Sequence, residues 1–123
     1  MKVRLQGNTI RLRLKMHETD RLFENGMIED VLEFGPGDDE KLRFQIIKGD
    51  EDFAIVQEGL TIGIVVPGTL IDTWTKTDLV GFEESITTSK GIAIKVLIEK
   101  DFACLDGVRE EEEGSYTNPE KTC

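Results

Sequence analysis

The stretch QGNTIRLRL at residues 6–14 has a counterpart at residues 58–66, EGLTIGIVV, which lies 52 positions later. The two stretches share a glycine, a threonine and an isoleucine at matching places: Gly7, Thr9 and Ile10, and Gly59, Thr61 and Ile62. Apolar and polar residues alternate through residues 9–14, and this period of two is typical of a half-buried β-strand. Each glycine stands where a tight turn between two strands would need it. We interpret the two stretches as the openings of two copies of one folding unit.

The rest of the chain repeats one order of elements after the same offset. In the first half the patterns predict two strands, a helix and two more strands, at residues 1–6, 9–15, 17–26, 27–34 and 41–48. In the second half they predict the same order at residues 53–58, 60–66, 67–76, 79–86 and 92–100. Pro67 suits the first turn of the second helix. Apolar residues align with apolar residues throughout, which favours duplication over a chance likeness of composition.

Two copies would explain how so short a chain forms a core. Each half has about 50 residues, too few to exclude enough water alone. We therefore predict a mostly β (α+β) domain over residues 1–105, a pseudo-two-fold barrel of two strand-strand-helix-strand-strand repeats with two short helices. Repeat 1 spans about 1–50 and repeat 2 about 53–102. Residues 106–123 are rich in glutamate and are predicted to form a disordered tail.

Composition limits the classes of protein that fit. The 123 residues carry a net charge of −10, and 38% are hydrophobic, which is typical of a globular protein. A run of about 18 apolar residues is missing, so no membrane contact is expected. The N-terminus alternates charged and apolar residues, unlike a secretory signal, and we expect a cytoplasmic protein. Cys104 and Cys123 do not suggest a disulfide.

The first 15 residues form a basic strip in an acidic chain, with five cations and no acid: Lys2, Arg4, Arg11, Arg13 and Lys15. If Gly7 and Asn8 form a turn, Arg4 faces Arg11 and Lys2 faces Arg13. Like charges directly opposite each other destabilise a hairpin, so something should offset them. A nucleic-acid or other anionic ligand is one candidate.

Three alternatives stay open for the basic strip. A ligand could neutralise it, although the net charge of −10 disfavours nucleic acid. The protein's own acids could do so, with Glu29, Asp30 and Glu33 or the acidic tail as candidates. The first two strands could also fail to pair. At the matching positions of the second repeat, Gly63 and Val65 replace arginines, which weakens a two-fold DNA surface and suggests that residues 60–66 are buried on both sides.

Other residues point to structure rather than chemistry. Trp74 is predicted to lie in the core, His17 to be solvated near a helix start, and residues 35–40 to form a surface turn. The sequence shows no zinc, nucleotide or nucleophile motif, so we expect no cofactor and no metal, and an enzyme is disfavoured.

Two motifs resemble the AbrB/MazE swapped-hairpin family. Residues 66–74 (VPGTLIDTW) and 77–82 (TDLVGF) are similar to that family's apolar strand ending in proline, its following helix and its Gly-Asp-x-Val strand. Residues 7–12 (GNTIRL) resemble the opening of MazE-type antitoxins. The resemblance implies interlocked hairpins in a cradle-loop barrel, with arginines of the early strands facing DNA.

The start MKVRLQGNTIRLRL, the run IEKDFACL at residues 98–105 and the end near Asn118, Pro119 and Cys123 are similar to a family of short uncharacterised bacterial proteins. That resemblance implies no activity. We predict a non-catalytic binding or protein-interaction module, with a protein partner or a second copy as its partner. The alternatives are a DNA-binding regulator that uses the basic strip, and a small-ligand barrel or enzyme with its site between the repeats.

Overall fold

The computed structural model describes residues 1–102. In chain order its elements are β1 (Lys2–Gln6), β2 (Thr9–Leu14), α1 (Met16–Asn25), β3 (Met27–Glu33), β4 (Lys41–Gly49), β5 (Ala54–Glu58), β6 (Thr61–Pro67), α2 (Gly68–Lys76), β7 (Gly81–Thr87) and β8 (Ala93–Lys100). A short 3-10 turn, Asp38–Glu40, lies in the loop before β4. The predicted disordered tail and the predictions for Cys104 and Cys123 lie outside the described residues.

The turns that open the two halves have the same geometry. Gly7 and Gly59 both have a φ of 56°, a left-handed conformation that a side chain would strain. The two hairpins also share a register, since Lys2 lies opposite Arg13 and Ala54 lies opposite Val65, 52 residues later in each strand. Of the alternatives for the basic strip, the one in which the first two strands do not pair is therefore wrong.

Each half gives one hairpin to each of two four-stranded sheets. The strand order is β1-β2-β8-β7 in the first sheet and β3-β4-β6-β5 in the second. Parallel pairing of β2 with β8 and of β4 with β6 joins the halves. These two junctions have equivalent registers, with Thr9 opposite Lys95 in one and Thr61 opposite Arg43 in the other. Such interleaving means that neither half could form its sheets alone.

The fold class is confirmed, because 53% of the described residues are in strands and two helices accompany two sheets. The prediction of a barrel is wrong, because the two four-stranded sheets do not close into a barrel. Where edge strands β5 and β7 approach, they meet through side chains. Phe53, just before β5, packs against Phe82 of β7 with ring centroids 6.1 Å apart. A closed ladder would need strands about 4.8 Å apart.

The second repeat departs from the first by two residues in one hairpin. Met27 of β3 lies opposite Ile47, and the 52-residue offset would place Leu79 opposite Glu99. Gly81 takes that place instead. The strand predicted at residues 79–86 therefore begins at Gly81, and Leu79 and Val80 lie in a longer connection after α2, 38% and 50% exposed.

The core lies between the two sheets and the helices. Its fully buried members come from both halves and include Leu12, Leu14, Leu22, Ile46, Ile64, Val66, Ile71, Trp74 and Ile98. The prediction of a buried Trp74 is confirmed. The helices contact each other and share this core, and α1 ends at Gly26 as predicted. Neither helix of the described region is long and apolar enough to span a bilayer.

Two details of the helices differ from expectation. Pro67 ends β6 and precedes α2 rather than occupying its first turn. Phe23, which the sequence pattern of α1 assigns to its apolar side, is half-buried and contacts two ammonium groups. Lys48 Nζ lies 5.1 Å and Lys76 Nζ 4.5 Å from its ring centroid. Lys48 also reaches Asp72 of α2 at 2.6 Å, so it links β4 to α2. Duplication itself stays a prediction, which the shared registers support.

Candidate anion-binding site

Four of the five predicted cations converge on the outer side of the first sheet. We call this set the basic face: Lys2, Arg4, Arg11 and Arg13. The antiparallel register places Arg4 opposite Arg11 and Lys2 opposite Arg13, as the sequence predicted. With Val3 they line a shallow cavity of about 280 Å³. Alternation along β1 and β2 brings them together, because inward residues such as Leu12 are buried while outward ones stay accessible.

Glu99 of β8 is the acid at the centre of the basic face. Its Oε1 lies 2.5 Å from Arg11 Nε and its Oε2 accepts a hydrogen bond from Arg11 Nη2 at 3.2 Å. Arg13 Nε lies 4.0 Å from the same carboxylate. A second acid, Asp101, lies 3.1 Å from Lys2 Nζ. Glu99 and Asp101 both reach the basic face because β2 pairs in parallel with β8.

The predicted acids are engaged elsewhere. Glu29 pairs with Arg43 at 2.6 Å and accepts a hydrogen bond from Gln45. Asp30 lies 2.9 Å from the amine of Met1. Both residues belong to β3, at the edge of the other sheet, which explains why they are not the partners of the basic face. Glu33 is also on β3, so the alternative that the protein's own acids neutralise the strip is met by Glu99 and Asp101 rather than by these three. The acidic tail, the other candidate, lies outside the described residues.

Lys15, the fifth predicted site residue, does not line the cavity. It precedes α1, is exposed, and its backbone N–H donates to the Glu18 carboxylate at 2.9 Å. The sequence carried no clear signal for Glu99, which lies 88 residues beyond Arg11. The alternation along β8 indicates only that Glu99 points outward, where it could lie beside a residue of a neighbouring strand.

The positions of the second sheet that match the basic face carry no charge. In the second sheet, Val65 stands at the position of Arg13, Ile47 at that of Glu99 and Ala54 at that of Lys2. Met27 lies beside Ile47 on the next strand. Gly63 replaces Arg11 and is buried, because Ile47 Cδ1 and Gln45 Oε1 lie 3.1 and 3.5 Å from where its Cβ would stand. The burial predicted for residues 60–66 is thus found at Gly63, beneath neighbouring side chains of its own sheet.

A cluster around the N-terminal amine lies beside the same hairpin. The amine of Met1 contacts the carboxylate of Glu18, and the Met1 side chain is fully buried. Burial lowers the pKa of this amine, but hydrogen bonds and charge from Glu18 and Asp30 outweigh it and raise the pKa above 8.0. Burial raises the pKa of Glu18, but hydrogen bonds from Lys15 and the amine lower it below 4.5. This cluster anchors the start of β1 to α1.

A larger cavity of about 580 Å³ lies between the halves. The first half contributes Leu14, Met16, Thr19 and Asp20, and the second half Thr75, Asp78, Lys100, Asp101 and Phe102. Two of its charged groups already have protein partners, since Lys100 donates to the carbonyl of Thr77 at 2.7 Å and Asp101 pairs with Lys2. In the repeat, Lys100 and Asp20 match Lys48 and Asp72, which form an ion pair at 2.6 Å. The cavity therefore lies where an equivalent ion pair between Lys100 and Asp20 would stand.

The remaining predicted residues have structural places. His17 is exposed in the first turn of α1, as expected. Residues 1–102 contain no group of three or more His, Cys, Asp or Glu side chains placed to hold a metal ion.

A family model described as a family of unknown function (DUF7009) matches residues 1–120, which include both halves and the basic face. No curated protein and no solved structure matches the chain.

Proposed function

Because the chain belongs to this family of unknown function, we propose its role from the geometry: a non-catalytic binding module that binds an anionic ligand or partner on the basic face. The observation that carries the proposal is the convergence of Lys2, Arg4, Arg11 and Arg13 on one cavity. Residues 1–102 contain 13 Lys and Arg and 19 Asp and Glu, a net charge of −6. Four cations on one surface of such a region mark a place where anions are attracted.

The cost of that arrangement supports a binding role. Arg4 and Arg11 lie directly opposite each other, and opposed like charges destabilise a sheet. The fold itself does not require cations there, since the equivalent positions in the second sheet hold Val56 and Gly63. A cluster of cations at positions where the fold does not require them is typical of a site that binds something.

The larger cavity between the halves is a weaker candidate for the functional site than the basic face. Lys100 and Asp101 stabilise the fold through Thr77 and Lys2. A ligand between the repeats would compete with those contacts. We therefore prefer the basic face as the functional surface.

A test begins with a polyanion of simple chemistry. Dextran sulfate should shift the NMR resonances of residues 2–13, and the shifts should weaken as salt rises. Arg4→Glu, on an edge strand, should reduce binding severalfold. A matched variant with the same charge change, Arg21→Glu on the exposed side of α1, should bind like the wild type. Shifts confined to other surfaces, or none at low salt, would reject the proposal.

The second candidate is a DNA-binding regulator of the AbrB/MazE type. One observation favours it: β1 and β2 form the predicted hairpin with arginines on its outer side. The second sheet counts against it, because a two-fold DNA surface would need cations at the positions that match Arg11 and Arg13, where Gly63 and Val65 stand.

Duplex DNA decides between the two candidates. A salt-dependent mobility shift that Arg11→Glu plus Arg13→Glu abolishes would support the regulator, provided that circular dichroism shows both variants folded. Arg21→Glu plus Lys90→Glu changes the total charge equally at exposed sites outside the basic face and serves as the control. Absence of binding at low salt would remove this candidate while leaving the dextran sulfate result to stand.

A further inference from the structure

We propose that Glu99 is an internal competitor on the basic face, and that the ligand class able to displace it is a dianionic phosphate group, free or as a monoester. The inference rests on the proposed function and specifies the ligand of the same site. Glu99 occupies Arg11 with both of its oxygens, at 2.5 and 3.2 Å. Its side chain is 24% exposed, so solvent and solutes can reach it.

The pairing of Arg11 with Glu99 determines what an incoming anion must do. Two parallel hydrogen bonds between a guanidinium and a carboxylate are the strongest arrangement that a monocarboxylate can make with one arginine. An external carboxylate would exchange one such pair for another. Because Glu99 is attached to the same fold, its effective concentration exceeds that of a free ligand. A single external carboxylate should therefore fail to displace it.

A phosphate group differs in charge and in shape. A phosphomonoester carries about −1.5 to −2 charges at neutral pH and three acceptor oxygens. Three oxygens can reach more than one cation, and the cavity places Lys2, Arg4 and Arg13 around Arg11. A phosphodiester of a nucleic-acid backbone has one charge per phosphate and is a poorer competitor. The local geometry therefore favours a terminal or free phosphate.

The chain contains a matched control for Glu99. Glu83 lies on the same outer surface, opposite Leu97, which is itself opposite Arg11. Two strand spacings separate Glu83 from Arg11, roughly 10 Å. Glu83 instead lies 3.6 Å from Lys95 and is 59% exposed. Glu83→Gln removes the same charge from the same sheet but leaves Arg11 with its carboxylate.

The experiment measures the affinity of the full chain for inorganic phosphate, phenyl phosphate and acetate by titration calorimetry. Glu99→Gln should tighten binding of inorganic phosphate and phenyl phosphate about tenfold, the effect of removing one competing charge at contact distance. Glu83→Gln should change either affinity less than twofold. Acetate should bind detectably only to Glu99→Gln. Inorganic phosphate and phenyl phosphate distinguish a free phosphate from a monoester as the source of the group.

Two outcomes overturn the inference. Weaker or unchanged phosphate binding by folded Glu99→Gln would mean that Glu99 positions Arg11 rather than competing for it. Acetate binding to the wild type as tightly as phosphate would show that Glu99 does not exclude a single external carboxylate. If Glu99→Gln does not fold, Glu99→Asp keeps the charge but withdraws the carboxylate by one methylene, and a smaller gain in affinity is expected. Failure of the proposed function is distinct, since then no anion, dextran sulfate included, would affect the basic face in any variant.

Discussion

Arg11 of β2 and Gly63 of β6 occupy the same position in the two sheets, Arg11 between Arg4 and Leu97 and Gly63 between Val56 and Gln45. The backbone arrangement around them is equivalent, while the chemistry is opposite. At one position a guanidinium meets a carboxylate at the surface, and at the other a glycine is buried under its neighbours. The same backbone arrangement therefore accepts a charged or an uncharged residue at this position, and the four cations of the basic face belong to one sheet alone.

The ion pair of Arg11 and Glu99 should contribute measurably to stability. Both side chains are about one-quarter exposed, so solvent weakens the pair without removing it. Arg11→Gln should lower the free energy of unfolding by about 1 kcal/mol in urea denaturation. The double variant Arg11→Gln/Glu99→Gln should lose less than the sum of the two single losses. Additive losses would show that the pair has no coupling energy.

Gly81 is expected to resist any side chain. A Cβ on Gly81 would stand 2.5 Å from the carbonyl oxygen of Ile98 and 3.0 Å from Cα of Glu99, and neither backbone atom can move freely. Gly81→Ala should therefore lower the free energy of unfolding by about 1–3 kcal/mol. Gly63→Ala is the matched control, because its nearest neighbour, at 3.1 Å, is the flexible end of Ile47. A loss for Gly81→Ala no greater than that for Gly63→Ala would contradict the placement of β7.

Trp74 links α2 to the connection that precedes β7. It is fully buried, its Nε1–H donates to the carbonyl of Val80 at 3.0 Å, and its ring meets Phe82 edge-on at 5.4 Å. Trp74→Ala should cost about 3–5 kcal/mol, the range for removing a large aromatic side chain from a core. Phe34→Ala, at a residue 69% exposed, should change stability by less than about 0.5 kcal/mol. Tryptophan fluorescence of the wild type should shift to longer wavelength only on global unfolding.

The contact between Glu18 and the N-terminal amine predicts a window of pH in which it stabilises the fold. The pKa of Glu18 is lowered in the folded state, so its contribution is present above 4.5 and is lost as pH falls through the lowered value. The pKa of the amine is raised, so its contribution is complete below 8.0 and is lost as pH rises through the raised value. The contact should therefore stabilise most between about 4.5 and 8.0.

Glu18→Gln tests this window. Near neutral pH it should lower the free energy of unfolding by about 1–3 kcal/mol, because the N-terminal ammonium group loses one of its two carboxylates. The difference from the wild type should narrow on both sides of the window. Glu24→Gln, exposed on the same helix, should have no such dependence. A difference that stays constant from acid to alkaline pH would argue against the ion pair.

Local patterns in the sequence predicted most of the elements. Ile10, Leu12 and Leu14 were assigned to the inner side of a strand from their alternation, and all three are buried. The turn at Gly7 and the end of α1 at Gly26 follow from the left-handed conformation that glycine tolerates. The cations of the basic face were also found in advance, because alternation places Arg4 and Arg11 on one side of a hairpin whose register depends on its turn.

The position of β7 shows where such patterns lose information. A slip of one residue would move every side chain to the other side of the sheet, so the hydrophobic pattern opposes it. A slip of two leaves each side chain on its original side, and the pattern is nearly unchanged. The constant offset of 52 residues therefore assigns Leu79 to the place that Gly81 occupies. A side chain at that place would meet the backbone of Ile98, so glycine fits there and leucine would not.

What the sequence determined by itself is local: the order of strands and helices, the side of each strand that is buried, the turns, and the cluster of cations near the start. The tertiary structure decided which strands are neighbours, and with it the pairing of Arg11 with Glu99 and the separation of two sheets that do not close. The reason is physical. Alternation and turn geometry act over a few residues, whereas the partner of β2 is chosen by burial of a core shared between halves, and no local pattern records that choice.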